Sequence, residues 1–311
     1  MKRCLSIEDK GVKKLITKLK EIESLIDTQN VRKLAVVAAH DDNVLGAVKE
    51  VYDKGYVEPI LIGDKEKIFE IAEAIELDIS RMNIIKELND IQSANLAVNM
   101  INSGEAHALM KGAIQTADMM RVAFDKEKGL RAGKLISNLV VIENPNYHKL
   151  LFITDPAINI APDLSQKAEI IKNAVQLMHK LKNEKPKVAV LSAIETVNTS
   201  MQCTLDAASL TMMNRRGQIK DCIIDGPLSM DLAISMDSVQ HKNVKSEVAG
   251  DADLLVAPDI QAANILVKSL SILNNNTACT VMIGTKAPMV ITSRADTRES
   301  KYYSILMALA I

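Results

Sequence analysis

The 311-residue sequence has no tryptophan, and aromatic residues make up only 3% of it. Its core must therefore be built from Ile, Leu, Val, Ala and Met, and most of the 15 methionines are expected inside it as adaptable filler. Cysteine is scarce and scattered. Cys4, Cys203, Cys222 and Cys279 form no C-x-x-C pair and no Cys/His spacing that suits structural zinc, so they read as buried or free reduced thiols. A charge excess is also lacking: 38 Lys and Arg against 39 Asp and Glu leave a net charge of −1, which gives no electrostatic footprint for nucleic acid or an anionic membrane. Charges break every apolar stretch before membrane-spanning length, and charges between Met1 and Asp9 stand where a signal peptide needs an apolar run. A soluble cytoplasmic protein is expected. There is no G-x-x-x-x-G-K-[ST] loop, no G-x-G-x-x-G after a strand, no G-x-S-x-G elbow and no carboxylate cluster at metal-ligand spacing. These absences set aside the common nucleotide, hydrolase and metal enzymes. They leave enzymes that bind phosphate without a signature loop.

What is present is an ordinary globular balance, 48% apolar and 25% charged, at a length that suits two domains. Apolar runs of strand length alternate with segments of helical period. Ser6-Ile-Glu-Asp9 is a capping-box pattern opening a helix to about Leu25, Asp90 caps a helix through Ile101, and Pro227 stands where a helix begins. Leu139–Glu143 and Leu150–Thr154 read as a hairpin joined through Asn144-Pro145-Asn146. Ile260–Leu273 and Thr297–Ile311 read as the last helices. Such alternation predicts an α/β fold with largely parallel sheets, a seam near Gly129–Lys134, and ligands outside the carboxyl ends of the strands.

Several segments have residues suited to chemistry, each with a plainer alternative. Gly284–Asp296 leaves an apolar strand and reaches Ser293-Arg294 just before the last helix. A helix N-terminus offers free N–H groups and partial positive charge, Arg294 adds a planar fork for phosphate, and Lys286 a second cation. Equally, Ser293–Asp296 fits a capping box, with Arg294 paired to Glu299. Lys111–Asp118, followed by Arg121, opens another helix: Thr116 and the backbone suit an anion, and a capped helix explains the same residues. In Ile224–Leu228, Gly226 and Pro227 satisfy a sharp turn, and Asp225 either meets a ligand or caps it. Asn264, inside a helical apolar pattern, either orients a ligand or bridges two elements. His40-Asp41-Asp42 is a proton-transfer pair or a loop histidine beside a capping aspartate. Cys203 has no histidine near it in sequence, which favours a small buried thiol over a nucleophile.

Taken together, these segments resemble the phosphate acetyl/butyryltransferase family, closer to its butyryl branch than to its acetyl branch. The resemblance runs from His40-Asp-Asp-Asn-Val-Leu45 through Met110-Lys-Gly112, Thr116-Ala-Asp118, Leu151-Phe-Ile-Thr-Asp155 and Asn159-Ile-Ala-Pro162. It continues through Gly217-Gln-Ile-Lys220, Asp225-Gly-Pro227, Gly250-Asp-Ala-Asp253 and Thr292-Ser-Arg-Ala-Asp296. It implies two α/β domains of the isocitrate/isopropylmalate dehydrogenase type. One takes residues 1–132 with 284–311, the other 133–283, and the active site lies in the cleft between them. It implies transfer of a short acyl group, butyryl favoured, between CoA and inorganic phosphate. CoA and phosphate are then substrates, with no metal and no further cofactor, in a homo-oligomer. Ser293 and Arg294 match the family's Ser-Arg pair. The acetyl branch carries an Asp seven residues after that Ser, where this sequence has Ser300, so the base falls to Asp296, Glu299 or neither. Arg121 follows Thr-Ala-Asp as the family's substrate-binding Arg does. Rival readings are phosphate acetyltransfer, a non-catalytic CoA-ester-binding regulator, and an NAD-dependent decarboxylase, whose metal aspartates and nucleotide loop are not found.

Overall fold

A computed structural model describes residues 15–133 and 135–311. The capping box at Ser6–Asp9 lies outside the described residues; the helix expected to reach Leu25 is seen there as a 3-10 helix, Leu19–Leu25. The first half of the chain gives β1 (Arg32–Val37), α1 (Asp42–Asp53), β2 (Val57–Gly63), α2 (Lys65–Ala74), β3 (Asn83–Lys86), α3 (Asp90–Ser103), β4 (Ala108–Lys111) and α4 (Thr116–Ala123). The second gives β5 (Ser137–Ile142), β6 (Leu151–Thr154), α5 (Leu164–Lys180), β7 (Lys187–Leu191), α6 (Gln202–Arg215), β8 (Ile223–Leu228), α7 (Met230–Ile234), α8 (Met236–Lys242), β9 (Leu254–Val256) and α9 (Ile260–Lys268). The chain returns through β10 (Ala278–Ile283) and β11 (Met289–Val290) to α10 (Arg298–Ala310).

These strands form one sheet in the order β3-β2-β1-β4-β11-β10-β5-β6-β9-β7-β8. Pairing is parallel from β3 to β11 and again from β6 to β8, and antiparallel where β10 meets β11 and β5 and where β5 meets β6. The α/β class with a largely parallel sheet is thus as expected, and so is the β5–β6 hairpin. The apolar strands bury both faces, as parallel sheets covered by helices must. In β1, Leu34 and Val36 join the core beneath α1 and α10, while Ala35 and Val37 join the core beneath α3 and α4. From β1 the chain steps outward to β2 and β3, then returns to place β4 on the other side of β1. The crevice outside the carboxyl ends of β1 and β4 is therefore a topological switch point, where open α/β sheets bind ligands.

Some boundaries differ from expectation. Asn89, not Asp90, caps α3, its side chain accepting from Gln92 N at 3.0 Å. Pro227 does not begin a helix; it lies within β8, and Ser229 precedes α7. The reason is that β8 is an edge strand, where a missing N–H costs no ladder hydrogen bond. The helix read as Ile260–Leu273 stays α-helical only to Lys268 and widens into a π turn over Ser269–Leu273.

Candidate active site

At the switch point, β4 ends in Lys111, and the next turn folds over the end of β1. Gly112 N donates to Val37 O and Ala113 N to Ala38 O, both at 2.8 Å. Only glycine fits at 112: a Cβ there would stand 2.6 Å from Val37 O and 2.9 Å from Ala38 C, and closer still to Ala38 O. Cations cover the carbonyls of this turn. Lys111 Nζ donates to Gly112 O at 2.9 Å and Ile114 O at 3.0 Å, and Arg294 Nη2 donates to Ala113 O at 3.2 Å. Lys111 is only 4% exposed. Burial lowers its pKa, and the Arg294 guanidinium and Lys301 ammonium lower it further against the pull of Asp41 and Asp296.

Arg294 itself is exposed, on a turn that follows β11. Ser293 N donates to Asp296 Oδ2 at 2.7 Å, Ala295 N to Ser293 Oγ at 3.3 Å, and Asp296 N to Ser293 O at 3.2 Å. Below the turn, Lys301 Nζ of α10 donates to Ser293 O at 3.0 Å and Asp296 O at 2.7 Å. Lys268 Nζ lies 3.8 Å from Asp296 Oδ1. The capping-box alternative for Ser293 is not what forms. Thr297 caps α10, its Oγ1 accepting from Ser300 N at 3.1 Å, because it is the residue next to the helix in extended conformation. Nor does Arg294 pair with Glu299, whose carboxylate accepts from Thr277 Oγ1 at 3.0 Å. On the other side of the crevice, Asp41 caps α1, accepting from Val44 N at 2.9 Å. His40, half-buried, rests against Gly63, and its Nδ1 is the buried side-chain polar atom without a partner among the described residues.

An exposed guanidinium and hydroxyl thus sit over two buried ammonium groups at the carboxyl edge of a parallel sheet. That arrangement suits a small, multiply charged oxyanion. A model of the family described as "Phosphate acetyl/butaryl transferase" matches residues 86–309. The chain belongs to this family. It is 40% identical over 297 residues to a phosphate butyryltransferase of Clostridium acetobutylicum, covering 96% of this chain and 99% of that one. It is 42% identical over 277 residues to a phosphate acetyltransferase of Thermotoga maritima, covering 89% and 94%. Among solved structures, a branched-chain phosphotransacylase from Enterococcus faecalis superposes with a TM-score of 0.78 at 30% identity, over 90% of this chain and 98% of that one.

The phosphate acetyl/butyryltransferase match spans Lys111, Thr116, Arg121 and the Ser293–Lys301 segment; His40 and Asp41 precede it. Of the residues singled out from sequence, Ser293, Arg294 and Asp296 come together on one turn. Thr116 opens α4 directly after the Gly112–Ile114 turn; Gln115 before it gives no side-chain cap, which leaves the first-turn amides of α4 uncapped by that side chain. Arg121, one turn on, is held in an ion pair by Asp118. Lys286 is taken up by Asn102 Oδ1 at 2.7 Å and Gly129 O at 3.2 Å. Asp225 accepts its neighbour's amide, Gly226 N, at 3.0 Å on the edge strand. Asn264 is exposed rather than buried, and bridges α9 to Pro156 O at 3.1 Å. Cys203 is half-buried with its Sγ 3.4 Å from Ser192 Oγ. Burial pushes the Cys222 and Cys279 thiols up to about 12, helped at Cys222 by Asp221. The residues that sequence reasoning missed are Lys111 and Lys301 in their buried roles. A signal for Lys301 exists: it shares an i, i+4, i+8 stripe with the buried Ile305 and Leu309.

Proposed function

We propose that this protein transfers a short acyl group, butyryl favoured, between CoA and inorganic phosphate in a ternary complex. The observation that supports it most is Arg294 on the Ser293–Asp296 turn, set above buried Lys111 and Lys301 at the switch point. Hydrogen phosphate binds to Arg294 and the α4 first-turn amides around Thr116, with Arg121 as a second cation once it leaves Asp118. A phosphate oxygen attacks the thioester carbonyl and forms the new C–O bond. The tetrahedral oxyanion accepts a hydrogen bond from Ser293, the C–S bond breaks, and CoA leaves as thiolate. Asp296 carries the proton that phosphate loses to the departing sulfur, and takes it from the thiol in the reverse direction. Alignment of the two substrates supplies roughly 7–11 kcal/mol of the barrier. An oxyanion donor adds about 3–4 kcal/mol. The chemistry calls for no metal or redox cofactor. Lys286, Asp225 and Asn264, proposed from sequence as substrate contacts, have partners within the free protein and reach substrate only by exchanging them.

The same reading keeps the two domains, residues 1–132 with 284–311 and residues 133–283, and a cleft between them. The two parallel halves run in opposite directions within the sheet. Twist of about 20–25° per pair, over the six pairings from β1 to β9, rotates the second half by roughly 120–150°. A rotation of that size supports a cleft that both carboxyl edges face. CoA as substrate supports a cytoplasmic enzyme. No helix among the described residues is long and apolar enough to cross a membrane. Exposed Ile265, Ile272 and Leu273 support a homo-oligomer.

The identity to the Thermotoga maritima acetyltransferase favours a second reading, acetyl transfer. Each extra buried methylene is worth about 0.8 kcal/mol, so two give a preference of roughly fifteenfold. Phosphate-dependent CoA release from acetyl-, propionyl-, butyryl- and valeryl-CoA decides. A kcat/KM maximum at four carbons supports the butyryl reading; a maximum at two replaces it with the acetyl one; binding of CoA esters without turnover leaves a regulatory role.

A further inference from the structure

We propose that Lys301 is a positioning residue for the transfer, holding the Ser293–Asp296 turn, and through it Arg294, in the geometry that receives phosphate. This rests on the reading of that turn as the phosphate site. Lys301 is 2% exposed and stands on the same face of α10 as Ile305 and Leu309, which pack against the core beneath α1. A buried ammonium ion is costly to desolvate, and an apolar side chain of similar volume serves packing as well or better. No carboxylate lies within ion-pair distance of Lys301 among the described residues. The two hydrogen-bond partners of its ammonium among the described residues are main-chain carbonyls at either end of one turn, Ser293 O and Asp296 O. The charge therefore does little for α10 and much for the turn. Removing it leaves the segment that carries Ser293 and Arg294 with its internal bonds but without its two anchors to Lys301, while α10 keeps its own cap at Thr297.

The test compares wild type, Lys301→Met and Lys301→Gln in three measurements on the full chain: phosphate-dependent CoA release from butyryl-CoA, thermal unfolding, and calorimetric titration with inorganic phosphate. Methionine keeps the volume and drops the charge. Lys301→Met is expected to unfold at or above the wild-type temperature, yet lose about 100-fold in kcat/KM for phosphate, the scale of a 1 Å misplacement. Phosphate binding should weaken about tenfold. Lys301→Gln, which keeps one donor, should fall between. The proposal is overturned if Lys301→Met is less stable but fully active per folded molecule, or if both variants match wild type. If wild type releases no CoA, the transfer reading fails by itself, and the phosphate titration alone decides the role of Lys301. If Lys301→Met does not fold, a folded and fully active Lys301→Gln overturns it.

Discussion

Gly112→Ala tests the construction of the switch-point crevice with a single methyl group. Gly112 is not in the left-handed region, so no strain in φ complicates the change. What decides the outcome is room. The new Cβ would stand 2.6 Å from Val37 O and 2.9 Å from Ala38 C, both backbone atoms of β1 and its continuation. These cannot swing aside as a flexible side chain can; the β1–β4 register and the bonds from Gly112 N and Ala113 N fix them. Overpacking of this kind costs about 3 kcal/mol, the upper end of the usual range. With a urea m-value of about 3 kcal/mol per M for a chain of this size, the unfolding midpoint falls by about 1 M. Relief requires the 112–114 turn to lift, which parts Ala113 O from Arg294, so the KM for phosphate should rise in the remaining folded protein. Gly133→Ala is the control: its Cβ would meet nothing nearer than 3.8 Å, and its midpoint should hold or rise slightly. A Gly112→Ala variant with the wild-type urea midpoint would show that this close approach is not a constraint and refute the reasoning.

Lys167 and Asp206 form a buried pair between α5 and α6, with Nζ 2.6 Å from Oδ2 and side chains 6% and 8% exposed. Lys167→Met, which strands the carboxylate with Gln202 as its remaining partner, should cost about 3–5 kcal/mol by urea unfolding, and adding Asp206→Leu should recover most of it. At Asp251, burial pushes the carboxyl pKa up, but hydrogen bonds from Lys149, Lys187 and His148 outweigh it and hold the group well below the usual carboxylate range. A depressed folded pKa contributes stability above the unfolded value near 4 that is lost as pH falls below it, so Asp251→Asn should flatten the decline of melting temperature between roughly pH 5 and 2. Lys286→Ala loses bonds to Asn102 and Gly129, and a KM for phosphate within twofold of wild type is expected, measured beside Arg294→Ala.

Most of the architecture is legible because strong local signals and the tertiary fold agree. The hairpin read at Leu139–Glu143 and Leu150–Thr154 is found as β5 paired antiparallel with β6, and Gly104 ends α3 with φ of 77°, as a C-terminal glycine should. Pro227 misleads because its meaning depends on strand order: the same dipeptide in a central strand would have ended it. Ser293 misleads because two hydroxyl residues, Ser293 and Thr297, compete for one cap, and spacing alone favours neither. The proposed anion site is half visible. Arg294 lies next to a predicted helix start, but Lys111 reads only as the end of a strand, since its ammonium is held by the 112–114 turn, which folds over the end of β1. Lys286 looks like the natural second cation at two residues past Gly284, yet long-range contacts with Asn102 and Gly129 claim it.

The measurement that bears most directly on the proposed reaction is CoA release from butyryl-CoA by wild type and Arg294→Ala, with and without phosphate and with EDTA present. Release that requires phosphate, persists in EDTA, and loses about 10²–10³-fold in kcat/KM for phosphate in Arg294→Ala is the predicted result, the scale expected for one preorganised charge donor. Turnover undiminished in that variant, or a folded wild type that binds CoA and releases none from its ester, would contradict it.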